Sequence, residues 1–514
     1  MSNENMQQRL NEEALEQVGL LIDGGFDEGD PSLTTMAFGL IEALKSRKLQ
    51  PEQFALLHYL KSNAWANRIV EKNEQHSWGW EQDALANQLL ELRFALNHQG
   101  FDKLPGARKC QVYTNLGNQL NTVGRFVEAI ECWDRALEIE PDFAMALANR
   151  AMGFVHYAQS LYDPGHRNVL MLIGYDGFQA ALAPIAIYES SGLGNLTAEF
   201  EQRQRAIAQK VDLESTRKLL ENPGQHLGRP GHQQRYQQWC LENRLYINPL
   251  NDMGVHPIAC QDVMTLPSLT GPIGRKSSYP PAIIGFYNQL KQEYVSARFL
   301  AYEAHQSKEA HYSDEGVLLY NTLDYPSYGL STEKLRLSYR MAYSIFDKIA
   351  FALNQYFELG HKDHMVSFRS VWYEPKKIRE KVLHSVFEER ENWPLRGLFW
   401  LAKDFYDEDF KSSTEPDAAQ IAIIRNHLEH KYLKVHSDTT CVTSEHYEES
   451  DDWAYQISRG EFQVKTFKLL QLSRAALIYL SAAIHREENI RANLRGDKIT
   501  KHMPLYPWDD EWKA

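Results

Sequence analysis

The chain has 514 residues, 43% hydrophobic and 24% charged, an ordinary globular composition that excludes a disordered chain and leaves room for two or three domains. Its formal net charge of −13 excludes a protein that coats long nucleic acid through its overall field, so any contact with RNA must be a local pocket. The start, Met1 to Gln17, is polar and mixed in charge, unlike a signal peptide, and the most apolar stretch, Ala475–Ile484, is shorter than the roughly 20 residues of a membrane span.

A soluble, cytoplasmic protein with no membrane partner is therefore expected. The five cysteines, Cys110, Cys132, Cys240, Cys260 and Cys441, stand singly and form no CxxC pair, so neither a zinc ribbon nor a thioredoxin-like site is indicated. Cys110 and Cys132 fall inside helical patterns and read as core thiols.

In chain order, apolar residues recur at three- and four-residue spacing and strand alternation is rare, which predicts an all-α protein. Helical segments are expected over Glu13–Leu21, Thr34–Leu44, Glu81–Leu96, Ser331–Leu359 and Glu461–Ile484. From Cys110 to Asp142 the chain carries Tyr113, Leu116-Gly117, Leu120, Gly124, Phe126, Ala129, Trp133, Ala136-Leu137 and Pro141. Gly117 and Ala129 are small where two antiparallel helices approach, Gly124 suits the turn, and Pro141 stops the second helix. This pattern over residues 110–142 resembles the tetratricopeptide (TPR) consensus of about 34 residues.

Ala144–Ala158 reads as the first helix of a following repeat, and Phe54–Val70 with Trp80–Leu96 as helical hairpins. One repeat cannot bury its own faces, so a TPR-like array over 1–220 is expected. Its concave face either holds a peptide, trigger or protein partner, or serves only as a scaffold.

The run from Glu221 to His232 and the stretch Pro267–Pro281 are rich in Gly and Pro. Residues 221–284 thus read as a connector with a small ordered patch around Trp239–Asp252. A helical bundle is expected over 285–490 and a tail over 491–514.

Within the bundle, Ile421–Val435 reads as a helix with Ile421, Ile424, Leu428, Tyr432 and Val435 on one stripe. Asn426 and His430 fall on the far side, and Arg425 lies at the flank, where its long side chain can swing over. The segment reads Arg425-Asn426-His427-Leu428-Glu429-His430. An Arg, a polar residue and, after four intervening positions, a His on a helix of an all-helical domain resembles the HEPN superfamily motif. That resemblance covers roughly 285–490. It implies a small helical bundle, in many members a metal-independent endoribonuclease, that often pairs two copies into one composite site. It also implies a ribonuclease effector of prokaryotic defence, toxin or abortive-infection type, with RNA as substrate, a homodimer, and no cofactor or metal.

The residue types suit that chemistry in their own right. A histidine can take the proton of a 2′-hydroxyl nucleophile or protonate the leaving oxygen. A guanidinium can hold non-bridging phosphate oxygens, and an Asn can orient a phosphate or the imidazole. His430 is thus assigned as general base/acid, Arg425 as phosphate clamp and Asn426 as positioning residue. Roles for Glu429 and His427 stay open.

Ser331–Leu359 interrupts its apolar run with Arg340, Ser344, Asp347 and Asn354 near one face. Buried polar groups need partners, so these residues either form an internal hydrogen-bond network or line a groove that supports His430. Ahead of this helix, Ser331 reads as its N-cap with Glu333 in the first turn, and Tyr325 and Tyr328 either stack on bases or pack.

Phe368–His384 gathers Arg369, Lys376, Lys377, Arg379 and Lys381 with Trp372 and Tyr373. It is read either as a basic-aromatic patch that steers RNA, with Arg369, Lys376, Lys377 and Trp372 as contacts, or as a solvated amphipathic helix start. His361 and His364 lack a third ligand at recognisable spacing. Gly192 with Gly194, and Gly271 with Gly274, lack the context of a nucleotide loop. The alternative to an enzyme is an RNA- or nucleotide-binding bundle without cleavage, or a protein-interaction scaffold.

Overall fold

The computed structural model describes residues 3–74, 77–188, 194–221, 224, 227–271, 281–307, 309–407, 416–438, 453–496, 500 and 503–513. Cys441, Gly192, Gly274 and much of the Gly/Pro-rich part of the connector lie outside them.

Among the described residues, ten helices form the N-terminal array: α1 (Asn3–Asp27), α2 (Pro31–Lys45), α3 (Pro51–Glu71), α4 (Asp83–Asn97), α5 (Gly106–Thr122), α6 (Phe126–Ile139), α7 (Ala144–Ser160), α8 (Pro164–Ala181), α9 (Gly194–Ala208) and α10 (Leu213–Glu221). Consecutive helices pair as hairpins, α3 with α4, α5 with α6 and α7 with α8. In the α5–α6 hairpin the predicted small residues do their expected work. A Cβ on Gly117 would meet the Trp133 indole nitrogen at 2.6 Å, and one on Gly153 of α7 would meet the same ring at 2.2 Å. Trp133 is thereby wedged between the α5–α6 hairpin and α7, 1% exposed. Gly124 takes the turn with φ +89°, a left-handed conformation that glycine adopts at no steric cost.

The connector holds more order than a linker. Helix α11 (His232–Glu242) and two 3₁₀ turns (Pro249–Met253 and Pro257–Ala259) form there; the Pro249–Met253 turn packs against α6 and α8, and Trp239 of α11 packs against Tyr302 and Phe467 of the bundle. Asp252, fully buried, accepts hydrogen bonds from Arg474 (2.7 and 3.1 Å) and from the Tyr157 hydroxyl of α7 (3.0 Å). Removing either charge would leave the other uncompensated in a low-dielectric site.

The C-terminal bundle consists of α12 (Ala282–Gln306), α13 (Leu330–Phe357), the single turn α14 (Ser385–Glu388), α15 (Trp393–Tyr406), α16 (Pro416–His430) and α17 (Arg459–Arg495). Helix α17 starts at Ser458, whose hydroxyl accepts the Glu461 amide (3.1 Å), the expected N-cap chemistry. It is long and apolar enough to pass for a membrane span, yet 83% of its most apolar stretch is buried in this protein. Its hydrophobicity is spent on the core between α12, α13 and α15.

Array and bundle share one hydrophobic core, and α15 is the bundle helix that the array packs against. Its Asn392 N-cap accepts from the Leu395 amide (3.1 Å). A Cβ on Gly124 would meet the Trp393 carbonyl oxygen at 2.0 Å, and one on Gly397 would meet the Gly124 carbonyl oxygen at 2.3 Å. The repeat turn is thus pressed backbone to backbone against α15. Beside it, Arg93 of α4 holds Asp404 through two bonds (2.7 and 3.0 Å), and Arg125 bonds the same carboxylate and also Glu128 (2.8 and 3.0 Å).

Three sequence expectations are corrected. Ile421–Val435 is not one helix: α16 ends at His430 and β1 (Tyr432–His436) follows, paired in parallel with β2 (Ala454–Ser458), Leu433 opposite Tyr455 and Val435 opposite Ile457. The β-branched and aromatic residues there gain a partner strand that periodicity within one segment does not reveal. Ser331 is not the N-cap of α13. Gly329 is, and the Asp314 carboxylate accepts the Leu330 amide (3.0 Å), while the Ser331 hydroxyl accepts from Arg459 (3.0 Å). Phe368–Lys381 is a run of turns rather than a helix start.

Candidate active site

Ile421, Ile424 and Leu428 are buried as predicted and turn one face of α16 onto α13, where the Tyr339 hydroxyl donates to the Ile421 carbonyl (2.8 Å). This fixes where the remaining side chains go. Positions four apart share a face on a helix, whereas five residues at about 100° each place His430 about 140° round from Arg425.

The pair Arg425 and Glu429 accordingly lines a cleft of about 300 Å³ with Arg340, Tyr343, Asp347 and Lys348. The pair Asn426 and His430 is exposed to solvent instead. His430 makes no hydrogen bond, ion pair or ring contact among the described residues.

Inside the cleft the guanidinium of Arg425 lies over the Tyr343 ring, 5.4 Å from its centroid, and donates to the Asn426 side-chain oxygen (3.2 Å). Burial pushes the Tyr343 hydroxyl above its ordinary value, so the cation rests on a neutral phenol. Arg340 donates to the Leu428 carbonyl and lies 3.6 Å from the Glu429 carboxylate. It thereby satisfies one of the orphan carbonyls of the last turn of α16. One Asp347 oxygen accepts the Phe368 amide (3.0 Å), which ties the cleft floor to the 368–384 loop. Ser344 also borders the cleft, its hydroxyl spent on the Met341 carbonyl (2.8 Å).

The predicted supporting residues therefore divide. Arg340, Asp347 and Glu429 reach the cleft with Arg425. Asn354 does not: it is 4% exposed, donates to the His361 carbonyl (3.0 Å) and accepts the His361 amide (3.1 Å). It belongs to the internal network, closing the C-terminal turn of α13. His427 is absorbed by the fold, its ring bonded to the Ile423 carbonyl (2.9 Å) and packed 5.4 Å from Tyr455.

Among the expected RNA contacts, Arg369, Lys376 and Lys377 are exposed. Trp372 is corrected: it is 1% exposed, its indole N–H donates to the Phe368 carbonyl (2.8 Å), and its ring packs against Phe387 and Phe399 at 5.4 and 5.6 Å. A ring so enclosed offers no face to a base. Tyr328 shares a hydrogen bond with Tyr432 (2.9 Å), whereas Tyr325 is 59% exposed.

Sequence reasoning missed Tyr343, Lys348 and Asp363 as cleft residues. Tyr343 lies three positions from Arg340, but an aromatic in an apolar helix reads as core, and Asp363 arrives on a separate loop. Among the described residues, no three His, Cys, Asp or Glu side chains converge as metal ligands would.

No curated protein and no solved structure matches this chain. Two family models do: the tetratricopeptide repeat over residues 110–143 and the LA2681-like HEPN domain over residues 274–487. The chain thus joins a tetratricopeptide repeat, within its N-terminal helical array, to a C-terminal LA2681-like HEPN domain.

Proposed function

We propose that this protein is a metal-independent endoribonuclease effector acting in the cytoplasm, in a defence or toxin-type role, with the array holding a trigger or a protein partner. The observation that carries the reading is the split of the motif around α16. Arg425 is set in a cleft against Tyr343, while Asn426 and His430 stand together on the exposed end of the same helix. A second copy docking on that exposed face would supply the groove that one copy lacks, so the active form is a homodimer.

In the proposed step the 2′-hydroxyl attacks the adjacent phosphorus as His430 takes its proton. The bond from phosphorus to the 5′-oxygen breaks, and that oxygen takes a proton from water while the proton held by His430 passes to solvent. Arg425 stabilises the charge on the non-bridging oxygens, and Asn426 orients the phosphate. The products are a 2′,3′-cyclic phosphate and a 5′-hydroxyl end.

The test is induced expression of wild type and His430→Ala, reading growth arrest, total-RNA cleavage and end chemistry, with thermal denaturation as a folding check. Loss of the general acid/base should slow cleavage by about 10²–10⁴-fold. His430 is exposed and unpartnered among the described residues, so denaturation should not move. Equal cleavage by both proteins sinks the assignment of His430.

A further inference from the structure

Ahead of α4 the chain forms an irregular strap, residues 77–82, that lies on α15 of the bundle. Its anchor is Trp80, 4% exposed. The Trp80 ring packs 5.6 Å from Phe387 and 5.7 Å from Phe399, and its carbonyl accepts the Trp400 indole N–H (3.0 Å). Glu81 meets Lys403 at 3.0 Å. Between them Arg396, 3% exposed, reaches across from α15. Its terminal nitrogens donate to the Gln82 side-chain oxygen (2.9 Å) and to the Thr122 carbonyl at the end of α5 (3.3 Å). Its guanidinium lies over Trp78, 5.2 Å from the ring centroid. One side chain thus joins the strap, the repeat and the bundle.

Among the described residues no carboxylate pairs with Arg396, and its Nε has no hydrogen-bond partner. Burial pulls the guanidinium down to about 10, so it stays charged at neutral pH without a counter-ion. The indole N–H groups of Trp78 and Trp80 are likewise buried without an acceptor. Water would satisfy all three groups, so enclosing them opposes the docking that the Trp80 ring favours. About two turns further along α15 the opposite holds, because the buried Asp404 is shared by Arg93 and Arg125. The array is therefore held on α15 by a clamp whose charges are matched and by a strap whose buried charge is not. Local opening is drawn from the least stabilised contacts of a fold.

We propose that residues 77–82 are a releasable latch between array and bundle. It is docked on α15 in this structure and lifts in a second state that returns Arg396 and the two indole N–H groups to water, while the Asp404 clamp stays closed. Gln82 is its weak point, since a neutral oxygen stands where a carboxylate would complete the pair with Arg396. The latch bears on the candidate site through α15. Tyr406 of that helix shares a hydrogen bond with Tyr343 (2.7 Å), the ring beneath Arg425. A partner seated on the array can thus act on the seat of Arg425 by shifting the strap. That consequence rests on the ribonuclease reading; the latch itself does not.

Hydrogen exchange of the full-length protein, without RNA, is followed by mass spectrometry in wild type, Gln82→Glu, Arg396→Met and the double variant. In wild type the amides of Ser77 and Ala86, bonded to the Glu74 and Gln82 carbonyls (3.1 and 2.9 Å), should exchange faster than the second half of α4, where Arg93 is clamped. Gln82→Glu keeps the shape and gives Arg396 its missing carboxylate. Exchange over 77–86 should then slow by about tenfold, as when a neutral hydrogen bond becomes a charge-assisted one. In the Arg396→Met background the same substitution should bring no slowing. Gln82→Ala, which removes the strap's contact with Arg396, should speed exchange over 77–86 and leave the second half of α4 unchanged. The latch is overturned if 77–86 exchanges no faster than the rest of α4, if Gln82→Glu does not slow it or slows it equally without Arg396, or if Gln82→Ala speeds both regions alike. All these readings are made without RNA, so the latch can stand where the assignment of His430 falls, and the reverse.

Discussion

Replacing Asp404 by Asn tests what holds the array to the HEPN domain. Asp404 is 3% exposed, between Arg93 at 6% and Arg125 at 5%. Burial alone would push its carboxyl up, but Arg125 and Arg93 outweigh that and hold it below its ordinary value. Asn keeps the shape and removes the charge, so two guanidiniums lose a shared buried counter-ion. Breaking a buried pair in this way costs about 3–5 kcal/mol. In a chain of this size that should lower the melting temperature by about 3–5 °C. Hydrogen exchange should rise in α4, α6 and α15 before it rises in α12 and α13.

Arg93→Met with Asp404→Leu removes one charge of each sign and leaves Arg125 paired with Glu128. That double variant should be destabilised far less than Asp404→Asn, because no buried charge is stranded. The carboxyl's folded pKa lies below its unfolded one. Its contribution is therefore complete above about pH 4 and is lost as pH falls further, so the exchange difference between wild type and Asp404→Asn should shrink in acid. A melting temperature unchanged in Asp404→Asn, or a double variant weaker than the single one, would refute this account of the interface.

Gly124→Ala places a methyl 2.0 Å from the Trp393 carbonyl oxygen at a residue with φ +89°, and should cost about 1–3 kcal/mol in chemical denaturation. Gly39→Ala, at an exposed position of helix α2 with nothing within 4 Å of the new methyl, should instead stabilise by about 0.5–1 kcal/mol. Trp372→Ala should lose about 3–5 kcal/mol of stability without selectively weakening RNA binding, which gel-shift titration of the folded fraction would check.

The helical class, the repeat over 110–142 and the RNxxxH motif were all legible in the residues, because each depends on short-range spacing. A 3.6-residue period, a small residue opposite a tryptophan and a glycine in a turn act within one hairpin. The same arithmetic assigned Ile421, Ile424 and Leu428 to the core side of α16 and left Asn426 and His430 facing away from it.

What needed the tertiary structure are matters of partnership between distant segments. Tyr432–His436 became a strand because Ala454–Ser458 runs beside it. Trp372 left the basic patch for the core because Phe387 and Phe399 enclose it, and Asn354 left the groove because His361 folds back onto it. The seating of Arg425 on Tyr343, and of the array on Asp404, joins residues far apart in sequence. Local spacing sets which face of a helix is apolar. Only the packed chain decides which buried charge meets which, because the desolvation cost of each charge is offset by a partner the local pattern does not contain.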